Sequence, residues 1–232
     1  MPERFFLGLD GCKAGWVMVS WSGEPDATPQ AGIIPNIRTA LDTAASHIGV
    51  DMPIGFPADT PRSCEALARQ YIGARRSSVF PVPCREAVMV DDYRKACDIN
   101  ARVLGKKFSK QAFMLFPKMR EIDAAITPQT QSRVFEVHPE VAFCALNNDR
   151  PLSHAKKTAD GAAHRRALLT AGGFPLARLQ HPDWKTSQAA DDDILDACAC
   201  CWSARRIATG DHLTFPATPE FDARGLRMQI NA

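Results

Sequence analysis

Two apolar, strand-like runs that stop on an acid constrain this chain more than any other feature. Residues 5–21, FFLGLDGCKAGWVMVSW, alternate Phe5, Leu7 and Leu9 with Phe6, Gly8 and Asp10, the two-residue period of a strand with two faces. Gly11 to Gly15 supply a turn, and WVMVSW returns as a second strand. Residues 48–56, IGVDMPIGF, form another apolar strand, which stops on Asp51 just before Pro53. A carboxylate at such a place costs on the order of several kcal/mol if buried without a partner. Asp10 and Asp51 therefore require a partner, a metal ion or an exit to solvent.

The remaining pattern is α/β. A third strand is predicted in AGIIPNI (31–37) and a helix in RTALDTAASH (38–47). Helical spacing continues in 63–73, 92–105 and 118–126, around the Pro-broken loop RRSSVFPVPCREAV (75–88). RVFEVHPEVAF (133–143) then alternates as a strand, with Glu136 and His138 on one face and Phe135 and Val137 on the other, and Pro139 closes it. Helices follow over 160–173 and 191–210, the latter with an acidic start that suits a helix N-terminus, and GLRMQIN (225–231) ends the chain as a strand. First strands antiparallel and later ones parallel is the order of a ribonuclease H-like mixed sheet flanked by helices. Residues 1–232 are expected to form one such domain, with 60–127 as a helical insertion after strand four.

Composition excludes several classes. Of the 232 residues 45% are hydrophobic and 23% charged, ordinary for a globular protein. No run approaches the roughly 18 apolar residues of a membrane helix, and MPERFF lacks the layout of a signal peptide, so no membrane role and a cytoplasmic location are expected. The eight cysteines do not read as a disulfide framework: five are scattered, and Cys198, Cys200 and Cys201 crowd an apolar segment as small buried residues.

The acids carry the chemistry. Asp10 lies on the first strand, Asp51 ends the fourth, Glu136 is on the fifth, and Asp193 and Asp196 lie one turn apart on the late helix, with Asp192 and Asp196 also one turn apart. If strands one and four are neighbours and that helix crosses them, the acids converge. Several carboxylates cannot share a low-dielectric pocket unneutralised. Two divalent cations roughly 3.5–4 Å apart resolve this and also hydrolyse phosphodiesters, one ion activating water and the other stabilising the leaving oxygen. All-oxygen ligands select Mg²⁺ or Mn²⁺. The plainer alternative makes each acid a helix cap, a salt-bridge partner or a solvated strand end.

The motifs GLDGCKAGW, VDMPIGFP, RRSSVFPVPCREA, FEVHPEVAF, SHAKKTADG and DDDILDACACCWSA resemble the family of predicted ribonuclease H-like nucleases known as domain of unknown function 429, over about Phe6 to Ile230. The resemblance implies a ribonuclease H-like fold. It also implies roles for Asp10 as the first-strand acid, Asp51 as the fourth-strand acid, Glu136 as the acid of an E-V-H-P-E motif, and Asp193 and Asp196 as those of a late D-x-x-D helix. That last pattern is similar to the metal-binding helix of Holliday-junction resolvases.

A nuclease also needs cations along the phosphate path. Residues 62–120 hold 13 Lys and Arg against 5 Asp and Glu, while the rest of the chain holds 15 against 21. Arg75, Arg76, Ser77, Ser78 and Arg85 in the Pro-broken loop, then Lys110, Lys156, Lys157 and Arg165, are the candidate phosphate contacts. A solvated or internally paired set of charges is the alternative. With net charge only +2, a short, structured or single-stranded nucleic acid is the expected partner. His138 is a candidate proton shuttle beside the metal water, or a packed strand histidine. Two other functions remain open: a non-catalytic ribonuclease H-like module that binds nucleic acid or protein, and an ATP-dependent phosphotransferase in which LDGCKAG is a phosphate-cradling hairpin.

Overall fold

The computed structural model describes residues 4–232. The alternation of the opening segment builds its centre: β1 (Phe6–Cys12) and β2 (Gly15–Trp21) form the antiparallel hairpin. β3 (Gln30–Ile34) adds antiparallel to β2, while β4 (His47–Asp51) lies parallel to β1 on its other side and β5 (Val134–Glu136) parallel to β4. The sheet order is therefore β3-β2-β1-β4-β5, with β1 central.

Because side chains alternate, each central strand feeds two cores. Leu7 and Leu9 of β1 and Ile48 and Val50 of β4 pack on one face with α1 (Ile37–Leu41) and with Phe116, Met119 and Ile122 of α6 (Phe116–Ala125). The opposite face carries Phe6, Val17, Val19 and Trp21 against α9 (Asp191–Thr209), which is joined by α7 (Pro139–Leu146) and α8 (Ala159–Ala171). Gly8 and Gly49 sit on that second face, and α9 runs directly over them. Cys198, Cys200 and Cys201 are buried free thiols in the contact, small enough to let helix and sheet approach.

Between β4 and β5 lie α2 (Ser63–Tyr71), α3 (Arg85–Val88), α4 (Tyr93–Leu104), α5 (Lys110–Met114) and α6. β6 (Thr214–Phe221) and β7 (Arg227–Asn231) form a separate hairpin, which meets the main sheet through one bridge between Val137 and Asn231. No helix among the described residues is long and apolar enough to cross a membrane.

Four local readings change. The strand expected over 133–143 ends at Glu136, and Pro139 opens α7 instead, because proline lacks the N–H that a first helical residue leaves unbonded anyway. The third strand stops at Ile34 rather than running to residue 37. The helix read over 38–47 shrinks to α1, capped by the Asn36 side chain, and His47 already belongs to β4. β6 was not legible because Pro216 and Pro219 mask a strand that needs few ladder bonds at a sheet edge, and β7 pairs with it rather than with the main sheet.

A carboxylate triad at the sheet edge and its cavity

Parallel pairing of β1 and β4 places Asp10 directly opposite Asp51. Both follow a glycine by two residues and so continue the face that α9 covers. Asp196, in the second turn of α9, reaches the same point. One carboxylate oxygen from each of Asp10, Asp51 and Asp196 lies within 4.8 Å of the other two. Asp10 is 7% and Asp196 3% exposed, while Asp51 is half-buried.

Burial raises the pKa of Asp10 well above the carboxylate range, and the charges of Asp51 and Asp196 raise it further. Burial likewise pushes Asp51 up to about 6 and Asp196 to about 7, against the opposing pull of Lys156. Lys156 Nζ lies 2.6 Å from Asp196 Oδ2 and 3.2 Å from Asp192 Oδ2. Burial works against its charge, but Asp196, then Asp10 and Asp192, hold it protonated above its usual range. One ammonium therefore answers three converging carboxylates.

The other acids expected here serve different ends. Glu136 is buried, but Arg62 takes its carboxylate, Nη2 at 2.6 Å from Oε1 and Nη1 at 3.0 Å from Oε2, while the Ile54 N–H donates to Oε2 at 2.7 Å. Arg62 also donates to the Ile54 and Gly55 carbonyls, so this pair fastens the loop after β4. Burial raises Glu136 to about 7, with Arg62 opposing. Asp193 caps α9, its Oδ2 accepting from the Ala190 N–H at 2.8 Å. Glu136→Gln is expected to lower stability by about 1–3 kcal/mol, because it removes one of the two carboxylates on the buried Arg62 and leaves only Glu65, at 2.8 Å, while Mn²⁺ binding is kept. Urea denaturation together with a metal titration checks both halves.

The triad opens into a cavity of about 950 Å³. Arg75, Ser77, Ser78, Lys156, Lys157 and His138 line it, as do Glu136 and Asp193. His138 Nε2 stands 3.4 Å from the Ser78 carbonyl, and its Nδ1 is buried with no partner. Burial lowers its pKa, so the ring is neutral at pH 7. Arg76, Arg85, Lys110 and Arg165 are not on the wall. Arg85 is held by Asp123 at 2.5 Å and by Asp222, and Arg165 by Glu140, which also draws in Arg75 at 3.4 Å. Lys110 Nζ lies 5.9 Å from the centre of the Tyr93 ring.

Much of the basic excess of residues 62–120 is thus engaged in internal pairs, Arg102 with Glu86 and Lys107 with Asp98 among them. Arg85 and Arg165 do not reach the site for this reason. Lys13 and Lys118 line the cavity without having been singled out; Lys118 Nζ is 4.4 Å above the Trp16 ring and 3.4 Å from Glu121. Only the position of Lys13 in the DGCK turn, two residues beyond Gly11, could have pointed to it.

Comparison with known proteins adds one match: a family model described as "Protein of unknown function (DUF429)" covers residues 8–221. No curated protein and no solved structure matches the chain.

Proposed function

The chain belongs to the DUF429 family of unknown function, and from that starting point we propose that it is a metal-dependent nuclease of ribonuclease H-like architecture, a single domain with residues 60–127 inserted after β4. The observation that carries this reading is the convergence of Asp10, Asp51 and Asp196 within 4.8 Å in the wall of a cavity that Lys13, Lys118, Lys156 and Lys157 also line. Three hard oxygen donors with raised pKa values suit Mg²⁺ or Mn²⁺, since a divalent cation offsets the repulsion that the fold leaves in place. A divalent ion bound there supplies a Lewis acid for the phosphodiester and lowers the pKa of an attacking water.

The chain's own residues do the rest. Asp10 and Asp51 are fixed by the ladder between β1 and β4, and Asp196 by its bond to Lys156. Lys157, Lys118, Ser77 and Ser78 hold phosphate oxygens, and Arg75, oriented by Glu140, adds a guanidinium at that wall. His138, neutral and with Nδ1 unpaired, accepts a proton on that side of the cavity.

The charges favour one ion over the expected two. Lys156 Nζ already sits between Asp196 and Asp192, at 2.6 and 3.2 Å, and so fills the position a second ion would take beside them. A Mn²⁺ titration of the free protein is expected to give one site in the wild type and none in Asp10→Asn. Lys156→Met, which vacates the position beside Asp192 and Asp196, is expected to bind two. Failure of the wild type to bind Mn²⁺ overturns the nuclease reading in favour of a non-catalytic module. Two ions on the wild type would return the two-metal arrangement.

A further inference from the structure

The cavity wall carries more apolar surface than phosphodiester chemistry requires. Beside the acids and lysines it includes Val79, Phe80 and Val82 from the loop that follows α2, and Met114 and Leu115 at the end of α5. Phe80 is partly exposed, and Met114 is 75% exposed, the most exposed large hydrophobic residue among those described. An undistorted duplex offers these side chains little beyond thymine methyl groups, because its base faces are stacked inside. The size agrees, because about 950 Å³ falls at the upper end of small-ligand pockets, roughly 300–1,000 Å³.

We infer that the cavity takes unpaired nucleotides, seating a base against Phe80 and Met114 while Lys118, Lys157 and Arg75 hold the adjoining phosphates. The inference rests on the nuclease reading and specifies its substrate class. Proteins that track single strands combine these two parts, a cationic groove and an aromatic or apolar platform on which bases stack whatever their sequence. Here the β4–β5 segment supplies the apolar platform with Lys118 and Arg75, and Lys157 joins them from the segment between α7 and α8. Both parts face acids carried by β1, β4 and α9. The same wall allows an end of a strand, or a base extruded from a structured one, to reach the triad.

Fluorescence anisotropy in Ca²⁺ tests this with three labelled probes: tetrathymidylate, the same strand with abasic sugars, and a blunt duplex. The wild-type chain is expected to bind tetrathymidylate at least about tenfold more tightly than either of the others. Phe80→Ala is expected to weaken tetrathymidylate binding about tenfold, one stacking contact, and to leave the abasic strand unchanged. Met114→Ser, at a position 75% exposed, is expected to act in the same direction. Equal binding of the abasic strand, tighter binding of the duplex, or no binding of any probe overturns the inference. Product formation in Mn²⁺ is read separately, so base-dependent binding without hydrolysis would sink the nuclease reading and leave the unpaired-base site standing.

Discussion

Asp10→Asn is expected to reduce metal-dependent phosphodiester hydrolysis on the order of 10³-fold and, in the same preparation, to make the metal-free protein more stable. The loss follows from removing one of three ligands to the only Lewis acid in the proposed centre, an effect of several kcal/mol on the barrier. The gain follows from the environment of Asp10, raised by burial and by the charges of Asp51 and Asp196. Replacing that carboxylate removes the repulsion and the cost of burying its charge, so the metal-free mutant is expected to be more stable than the wild type at neutral pH.

The pH dependence fixes the sign. Asp51 rises to about 6 and Asp196 to about 7 in the folded chain, against about 4 in an unfolded one. Between those limits the folded state holds protons that the unfolded state has released. The stability these two acids contribute to the metal-free wild type is therefore fully present below about pH 4 and is lost as pH rises through about 7. The buried His138, shifted down, acts in the opposite direction at low pH. Asp10→Asn flattens that fall without abolishing it, because Glu136, also raised to about 7, remains. Mn²⁺ is expected to bind the deprotonated triad and to recover the lost stability in the wild type only. Thermal melts from pH 4 to 8, with and without Mn²⁺, read all of this; a mutant less stable than the wild type at pH 8 without metal would contradict the account.

Gly8→Ala is expected to cost about 4 kcal/mol or more, and to remove metal binding with it. A Cβ at residue 8 would lie 2.0 Å from the Ala197 carbonyl oxygen and 2.2 Å from the Cys201 N–H nitrogen. Both are backbone atoms of α9, so no rotamer change relieves the clash and the helix itself must lift. Lifting α9 carries Asp196 away from Asp10 and Asp51. Gly49 meets Cys200 O at 2.4 Å by the same construction, so the two central strands lie against one helix at closer range than any side chain permits. Gly32, with open space around its Cβ position, is the control: Gly32→Ala is expected to change stability little. Chemical denaturation of the two alanine variants, with Mn²⁺ titration of whatever folds, separates this steric effect from a general intolerance of alanine in the sheet.

Much of this was legible along the chain. Alternation within residues 5–10 separates Leu7 and Leu9 from Gly8 and Asp10, and this is why one side of β1 enters an apolar core and the other receives a helix and ends at an acid. The period-two rule is local, so it survives without knowledge of any partner. Asp196 was nominated by its one-turn spacing from Asp192 and Asp193 on the late helix, and Asp10 and Asp51 by the period-two rule. The same rule nominated Glu136, and there it misled, because strand position decides which face a carboxylate takes but not which cation waits on that face. Arg62, 74 residues away in sequence, waits for Glu136. Lys156 waits for Asp196, and Glu140 waits for Arg165.

The sequence by itself thus determined the α/β order, the faces of the strands and the acids that interrupt them, since each depends on neighbours within a few residues. Tertiary structure alone decided the pairing: which three carboxylates share one point, which arginines are tied up internally, and which lysine stands beside the three carboxylates. Those outcomes depend on parallel pairing of β1 with β4 and on the glycine-permitted approach of α9, contacts across about 40 to 190 residues. Coulomb energy in a buried site varies steeply with distances that no spacing rule along the chain specifies.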